Sequence, residues 1–253
     1  IHKIISTVIL RRITPQAEGI LSEDQGGFRH YRQVIDNVMS LKLMQQDHVA
    51  SNDPLHMVFV DLKQAFDSVS RKLLFDVLKY YQFPTKMINL LVLLYKGATF
   101  RARRGGKLSK NKYESSRGIR QGDPISPILF NLVLQYILDK RPDAEGVKYK
   151  EGEKLTTAPK NFSSENTSRV IRKLIFADDI VLLGRTCGAV QDALTELNII
   201  FAEHGMLINT DKTKYMVTNE YDGSPTYQVT LGGMIIEKVK HFKYLGSIIR
   251  ENS

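Results

Sequence analysis

Leu174-Ile175-Phe176-Ala177-Asp178-Asp179-Ile180-Val181-Leu182-Leu183 is a pair of aspartates between two unbroken apolar runs. It reads as a strand, a two-residue acidic turn and a second strand. Strands that are apolar without alternation are buried on both faces, so the pair belongs inside a covered sheet. Upstream, His56 to Val60 is a short β-favouring run ending on Asp61, a third carboxylate at a strand end. Between these stretches Ser70 is placed to cap a helix carrying Leu73, Leu74, Val77, Leu78 and Tyr81 at helical spacing before Pro84. Thr85 to Lys96 predicts a second helix, and Ile125 to Leu138 a third, with Pro124 and Pro127 confined to its first turn. Beyond Leu183, Val190, Leu194, Leu197 and Phe201 share one helix face closed by Gly205, and Tyr227 to Ile236 and His241 to Ile249 predict two final strands. The fold class is α+β: an antiparallel sheet backed by helices. Breaks in periodicity fall near Val49 to Pro54 and across Asp139 to Ser168, the second expected as a surface loop or a short exposed hairpin.

Three carboxylates at one sheet edge repel one another and resist desolvation, which cations relieve. Mg²⁺ is the natural partner, and two such ions about 3.5–4 Å apart clamp the oxygens of a phosphoryl transfer. The residue types therefore suggest polymerase or nuclease chemistry. Singly, each signal has a plain alternative: an Asp-Asp pair suits an ordinary hairpin turn, and Asp61 could cap the turn that follows it.

The 253 residues, 42% hydrophobic and 25% charged, can bury a large core. The excess of 36 Lys and Arg over 27 Asp and Glu, a formal charge of +9, suits a phosphate backbone. Arg101, Arg103, Arg104, Lys107, Lys110 and Lys112 crowd one Gly-containing stretch that predicts a mobile hairpin able to lie along a nucleic-acid strand. No apolar run approaches the roughly 20 residues of a membrane span, and Ile1 to Arg12 carries no cleavage-site pattern, so no membrane partner is expected. A single cysteine, Cys187, excludes an intrachain disulfide and a thiolate zinc site, and fits a reducing compartment, cytoplasm or nucleus.

Val60-Asp61-Leu62-Lys63-Gln64-Ala65-Phe66-Asp67-Ser68-Val69 resembles motif A of reverse transcriptases, and Arg117-Gly118-Ile119-Arg120-Gln121-Gly122-Asp123-Pro124-Ile125-Ser126-Pro127 resembles motif B. Phe176-Ala177-Asp178-Asp179 resembles motif C, and the wording of B and C is most similar to the non-LTR retrotransposon branch. Gln25-Gly26-Gly27-Phe28-Arg29 resembles the segment that precedes motif A there. Gly205-Met206-Leu207-Ile208-Asn209 with Lys212-Thr213-Lys214 resembles motif D, and Phe242-Lys243-Tyr244-Leu245-Gly246 motif E, so the likeness runs from Gln25 to Gly246.

The resemblance implies a right-hand polymerase palm with partial fingers and no thumb: residues 56–69 and 118–253 as palm, with an insertion at about 139–168, and 1–55 and 70–117 on the fingers side. It implies RNA-directed DNA synthesis from dNTPs on an RNA template and DNA primer, with two Mg²⁺ ions, Mn²⁺ substituting, held by Asp61, Asp178 and Asp179. Phe66 falls at the steric gate that excludes ribose, its alternative being a plain core phenylalanine. Gln121 and Gly122 lie against the nascent pair, and Lys212, or Lys214, is the acid for the leaving pyrophosphate. Tyr244, Leu245 and Gly246 form the primer grip, Arg120 contacts phosphate or stands solvated, and Arg29 contacts triphosphate or template, or else makes a structural ion pair. The family's earlier fingers residues, thumb, endonuclease and zinc knuckle have no counterpart here, which implies a piece of a larger polyprotein or a decayed copy of low isolated activity. Two other readings stay open: a catalytically silent palm that binds nucleic acid, and an RNA-dependent RNA polymerase, against which Phe66 and Ala177 count.

Overall fold

The computed structural model describes residues 2–97, 99–101, 103–114, 117–140, 147–149, 169–220 and 226–251. In chain order the elements are α1 (His2–Ile20), α2 (Val34–Ala50), β1 (His56–Val60), α3 (Ala65–Ser68), α4 (Arg71–Tyr80) and α5 (Thr85–Tyr95). Next come β2 (Thr99–Phe100), β3 (Arg103–Arg104), β4 (Lys107–Leu108), β5 (Tyr113–Glu114), α6 (Ser126–Leu138), β6 (Val147–Tyr149) and β7 (Arg169–Ile171). The chain finishes with β8 (Lys173–Phe176), β9 (Asp179–Gly184), α7 (Cys187–Glu203), β10 (Lys214–Val217), β11 (Thr230–Leu231), β12 (Met234–Ile235), β13 (Glu237–Lys238), β14 (His241–Tyr244) and β15 (Ser247–Arg250).

Two compact units form from interleaved segments: a helical unit of residues 1–32, 62–142 and 197–208, and a sheet unit of residues 33–61, 143–196 and 209–253. In the sheet unit five strands run in the order β13-β10-β1-β9-β8. β1 is central, antiparallel to β10 and β9, and all five of its residues are buried, as its unbroken apolar sequence demands. β13 is one edge, β8 the other. Antiparallel pairing leaves the Ile175 carbonyl pointing outward there, and the Asn37 side chain of α2 donates to it at 3.0 Å, which closes an otherwise sticky edge. Val38, Leu41 and Met44 of the same helix join Met57, Phe59, Val181 and Met216 in the core.

In the helical unit the Ser70 hydroxyl accepts from the Leu73 amide at 3.4 Å, a cap of the predicted kind worth about 1 kcal/mol. α6 is buried along nearly its whole length, and α1 contributes Ile9, Ile13 and Ala17 to the core. The basic stretch is a nested hairpin, β3 with β4 inside β2 with β5, turning at Gly105 and Gly106 with positive φ.

Several expectations change. The sequence assigns no element to residues 1–50, yet α1 and α2 fill most of them. Their buried faces carry Ser6, Asn37, Gln45 and His48 among the apolar residues, and α1 runs unbroken through Pro15, a residue that reads as a helix breaker, so hydrophobic periodicity is blurred. Tyr227 to Ile236 and His241 to Ile249 are each a hairpin rather than one strand, because Gly232-Gly233 and Leu245-Gly246 take left-handed φ and reverse the chain. Of the expected 139–168 insertion, β6 pairs with β7, while 141–146 and 150–168 lie outside the described residues.

Candidate active site

Register places the carboxylates. Val60 pairs with Ile180 across β1 and β9, so one step further Asp61 faces Asp179. On the other flank Phe59 pairs with Lys214, which brings Lys212 and Thr213 level with Asp61 and Val60. The two-residue turn of the β8–β9 hairpin holds Ala177 at φ +58°, a conformation glycine adopts freely and alanine only under strain. That turn fixes Asp178 and Asp179 at the rim. Asp61 is tied through its backbone: its amide donates to Thr213 Oγ1 at 3.3 Å and its carbonyl accepts from Asn209 N at 2.8 Å.

These groups border a pocket of about 310 Å³ lined by Asp61, Asp179, Asp211, Lys212, Lys214 and Tyr244, with Phe59 and Phe242 stacked at 4.4 Å beside them. Asp179 is open to solvent on one side, yet partial desolvation, then the charges of Asp178 and Asp61, raise its pKa to about 6. Desolvation and Asp61 raise Asp178 as well, against a backbone hydrogen bond that lowers it. Mutually repelling carboxylates at an open rim fit a divalent cation. Among the described residues no three acidic, histidine or cysteine side chains are already gathered as a ligand set. Hard Mg²⁺ is commonly held by one or two carboxylates together with substrate phosphates, and the donor set suits that mode.

The two motif D lysines differ. Lys214 is largely covered, and its ammonium donates to Glu237 Oε2 at 2.6 Å and to the Asp211 carbonyl. Lys212 is exposed at the pocket. In motif E, Tyr244 belongs to the core at 3% exposure. Burial pushes its hydroxyl up to about 12, with the Asn37 amide beside it. Leu245 and Gly246 form the turn at φ +46° and +86°.

In the helical unit Phe66 sits in the one-turn helix α3, half-buried, its ring stacked on Phe130. Gln121 is exposed and donates to Asp67 Oδ2 at 3.5 Å. Gly122 takes φ +79° with open space where a Cβ would stand, so conformation, not crowding, requires glycine. Motif B is bound to motif A by Gly118 N to Val69 O at 2.8 Å and Ile119 N to Phe66 O at 2.9 Å. Arg101 and Arg103 are exposed, and Arg104 lies in β3.

Two arginines are engaged within the protein, Arg29 in the structural ion pair that stood as its alternative. The Arg29 side chain is only 7% exposed and engages Glu18 Oε2 at 2.9 Å and the Ser22 carbonyl at 2.6 Å, so its donors bind protein rather than triphosphate. Arg120 donates to the Leu94 carbonyl at 2.8 Å, contacts His2 and lies over the Tyr95 ring. It is thus partly buried and tied to protein groups.

Sequence reasoning missed Asn37, Thr213 as the partner of Asp61, and Asp123, which is buried and accepts from Ser6 Oγ at 3.1 Å. Asp123 and Thr213 stand inside quoted motifs, so position was their signal. Asn37 gave only an amide at a core-facing helix position.

The family model described as reverse transcriptase (RNA-dependent DNA polymerase) matches residues 1–249. Among curated relatives, the retrovirus-related Pol polyprotein from type-1 retrotransposable element R2 of Nasonia vitripennis is 28% identical, over 91% of this chain and 22% of its own length. That from type-2 retrotransposable element R2DM of Drosophila melanogaster is 29% identical, over 74% and 16% respectively. The chain thus spans about a fifth of these relatives. Solved telomerases share the fold: that of Candida albicans in complex with a fragment of telomeric RNA has a TM-score of 0.58 at 10% identity, covering 96% of this chain and 38% of that one. Apo telomerase of Candida tropicalis truncated from its C-terminal domain has a TM-score of 0.54 at 12% identity, over 98% and 44%. With the palm-like sheet, the motif order and a family match over nearly every residue, the chain belongs to the reverse transcriptase family, as a domain similar to those of non-LTR retrotransposon Pol polyproteins.

Proposed function

We propose that this domain extends a DNA primer on an RNA template, adding dNTPs by phosphoryl transfer at the Asp61, Asp178 and Asp179 carboxylates. The observation that carries the reading is the register that sets Asp61 against Asp179 at the rim of one pocket, where partial desolvation, then the charges of Asp178 and Asp61, lift Asp179 to about 6. Two Mg²⁺ ions, or Mn²⁺ in their place, would be held by these three residues and would supply Lewis acidity for the primer hydroxyl and charge neutralisation for the triphosphate. Asp61 is kept on station by Thr213 and Asn209.

Lys212 is the donor of a proton to the departing pyrophosphate, because Lys214 is committed to Glu237. Phe66 excludes the ribose hydroxyl, and Gln121 and Gly122 meet the nascent pair. The Leu245-Gly246 turn, anchored through buried Tyr244, steadies the primer end. The hairpin with exposed Arg101 and Arg103, and with Arg104 in the same strand as Arg103, follows the nucleic-acid backbone by charge. Residues 56–69 and 118–253 serve as palm, and 1–55 and 70–117 as fingers. Arg29 and Arg120 act as internal struts.

The test is Mg²⁺-dependent extension of a DNA primer on an RNA template, with Asp178→Asn alongside. Extension by the parent that the variant lacks is expected. Equal extension by both would reject the carboxylate assignment, and salt-sensitive binding without extension by either would favour a silent nucleic-acid-binding module.

A further inference from the structure

The proposed gate has little of its own structure to hold it. Phe66 lies in a helix of four residues entered through Gln64 at φ +48°, far too short to be stable alone. Its backbone is fixed by motif B, through Ile119 N to Phe66 O at 2.9 Å. Its ring is fixed by stacking on Phe130, with centroids 4.7 Å apart and planes 18° from parallel. Phe130 is fully buried in α6 between Leu129 and Asn131, which are buried too. One face of the Phe66 ring thus rests on an immobile aromatic surface.

We infer that Phe130 is a positioning residue that sets dNTP over NTP discrimination by acting as a backstop to Phe66. The inference rests on the reading of Phe66 as the gate. Ribose and deoxyribose differ by one oxygen, so a gate that can recede by about an ångström no longer tells them apart, and sites of this kind need placement within about 0.5 Å. Interiors are close-packed, so a smaller side chain at 130 leaves space directly behind the Phe66 ring. The ring then yields to a 2′-hydroxyl without any change at the carboxylates.

The experiment compares the parent with Phe66→Val, Phe130→Leu and Phe130→Met, the last two keeping an apolar side chain of moderate volume so that the fold survives. For each, the dNTP to NTP ratio of kcat/KM is read from single-nucleotide incorporation. The same ratio is read as binding to a dideoxy-terminated primer–template complex, which a slow enzyme also reports. Phe66→Val should collapse the ratio, and the Phe130 variants should lower it about tenfold, through tighter NTP binding with the dNTP value nearly unchanged. A ratio that falls in Phe66→Val but stays at the parent's value in both Phe130 variants overturns the inference and leaves the gate standing. A ratio untouched by Phe66→Val removes the gate reading itself, and the inference with it.

Discussion

Thr213 accepts a hydrogen bond from the backbone amide of Asp61 at 3.3 Å, and Thr213 is fully buried. A hydroxyl from one motif therefore holds the main chain of another. Thr213→Val leaves that amide without its partner, which costs about 1–2 kcal/mol. The expected result is a melting temperature lowered by a few degrees and slower extension, with both restored in Thr213→Ser. Equal losses in the two variants would show that the hydroxyl is not the reason.

Burial first, then neighbouring carboxylate charge, raises the cost of ionising Asp178 and Asp179. Removing one charge should relieve the others, so Asp179→Asn is expected to melt a few degrees higher than the parent without divalent ions. Millimolar Mg²⁺ should raise the parent's melting temperature by a similar amount, since binding to the folded state alone stabilises it. The Mg²⁺ increment should vanish in Asp178→Asn. An increment that persists there would place the ion elsewhere.

His56 is 1% exposed, with Nδ1 2.6 Å from the Tyr215 hydroxyl. Burial, then the nearby Lys238 charge, lowers its pKa to about 4 from an ordinary 6.5, against an opposing pull from Glu220. The folded state therefore binds fewer protons than the unfolded chain between these values. Its stability is full above about pH 6.5 and falls as the pH drops toward 4, by up to roughly 3 kcal/mol. His48 is lowered too, chiefly by burial, and adds in the same direction. Urea midpoints at pH 7.5 and 5 should differ strongly in the parent and less in His56→Gln. A parent midpoint that does not move would contradict the burial argument.

The motif D lysines should separate by readout. Lys212→Ala is expected to slow extension about 100-fold at unchanged stability. Lys214→Ala removes a shielded ammonium that bridges exposed Glu237 and the Asp211 carbonyl, so its main effect should be a modestly lower melting temperature. The reverse pattern in rapid-quench and melting measurements would exchange their roles.

Much of this was written in local sequence. Apolar runs around Asp178-Asp179 specified buried strands, and the helix with Val190, Leu194, Leu197 and Phe201 declared its face by spacing, all four being buried. What stayed hidden in α1 and α2 has a main cause: residues such as Ser6 and Asn37 are polar, yet each is buried. Their partners, Asp123 and the Ile175 carbonyl, lie more than a hundred residues away.

By itself the sequence determined which residue types stand at strand ends, in what order the motifs run, and hence the family. Only tertiary structure decided which side chains are free to act. Lys214 read as a candidate acid, and Arg29 as either a ligand contact or an ion pair; each is engaged by a carboxylate from another part of the chain, Glu237 and Glu18. Phe66 gave no sign of the ring behind it. Motifs record local spacing, whereas availability depends on hydrogen bonds, ion pairs and ring contacts made across long separations, and those exist only once the strands and helices have packed.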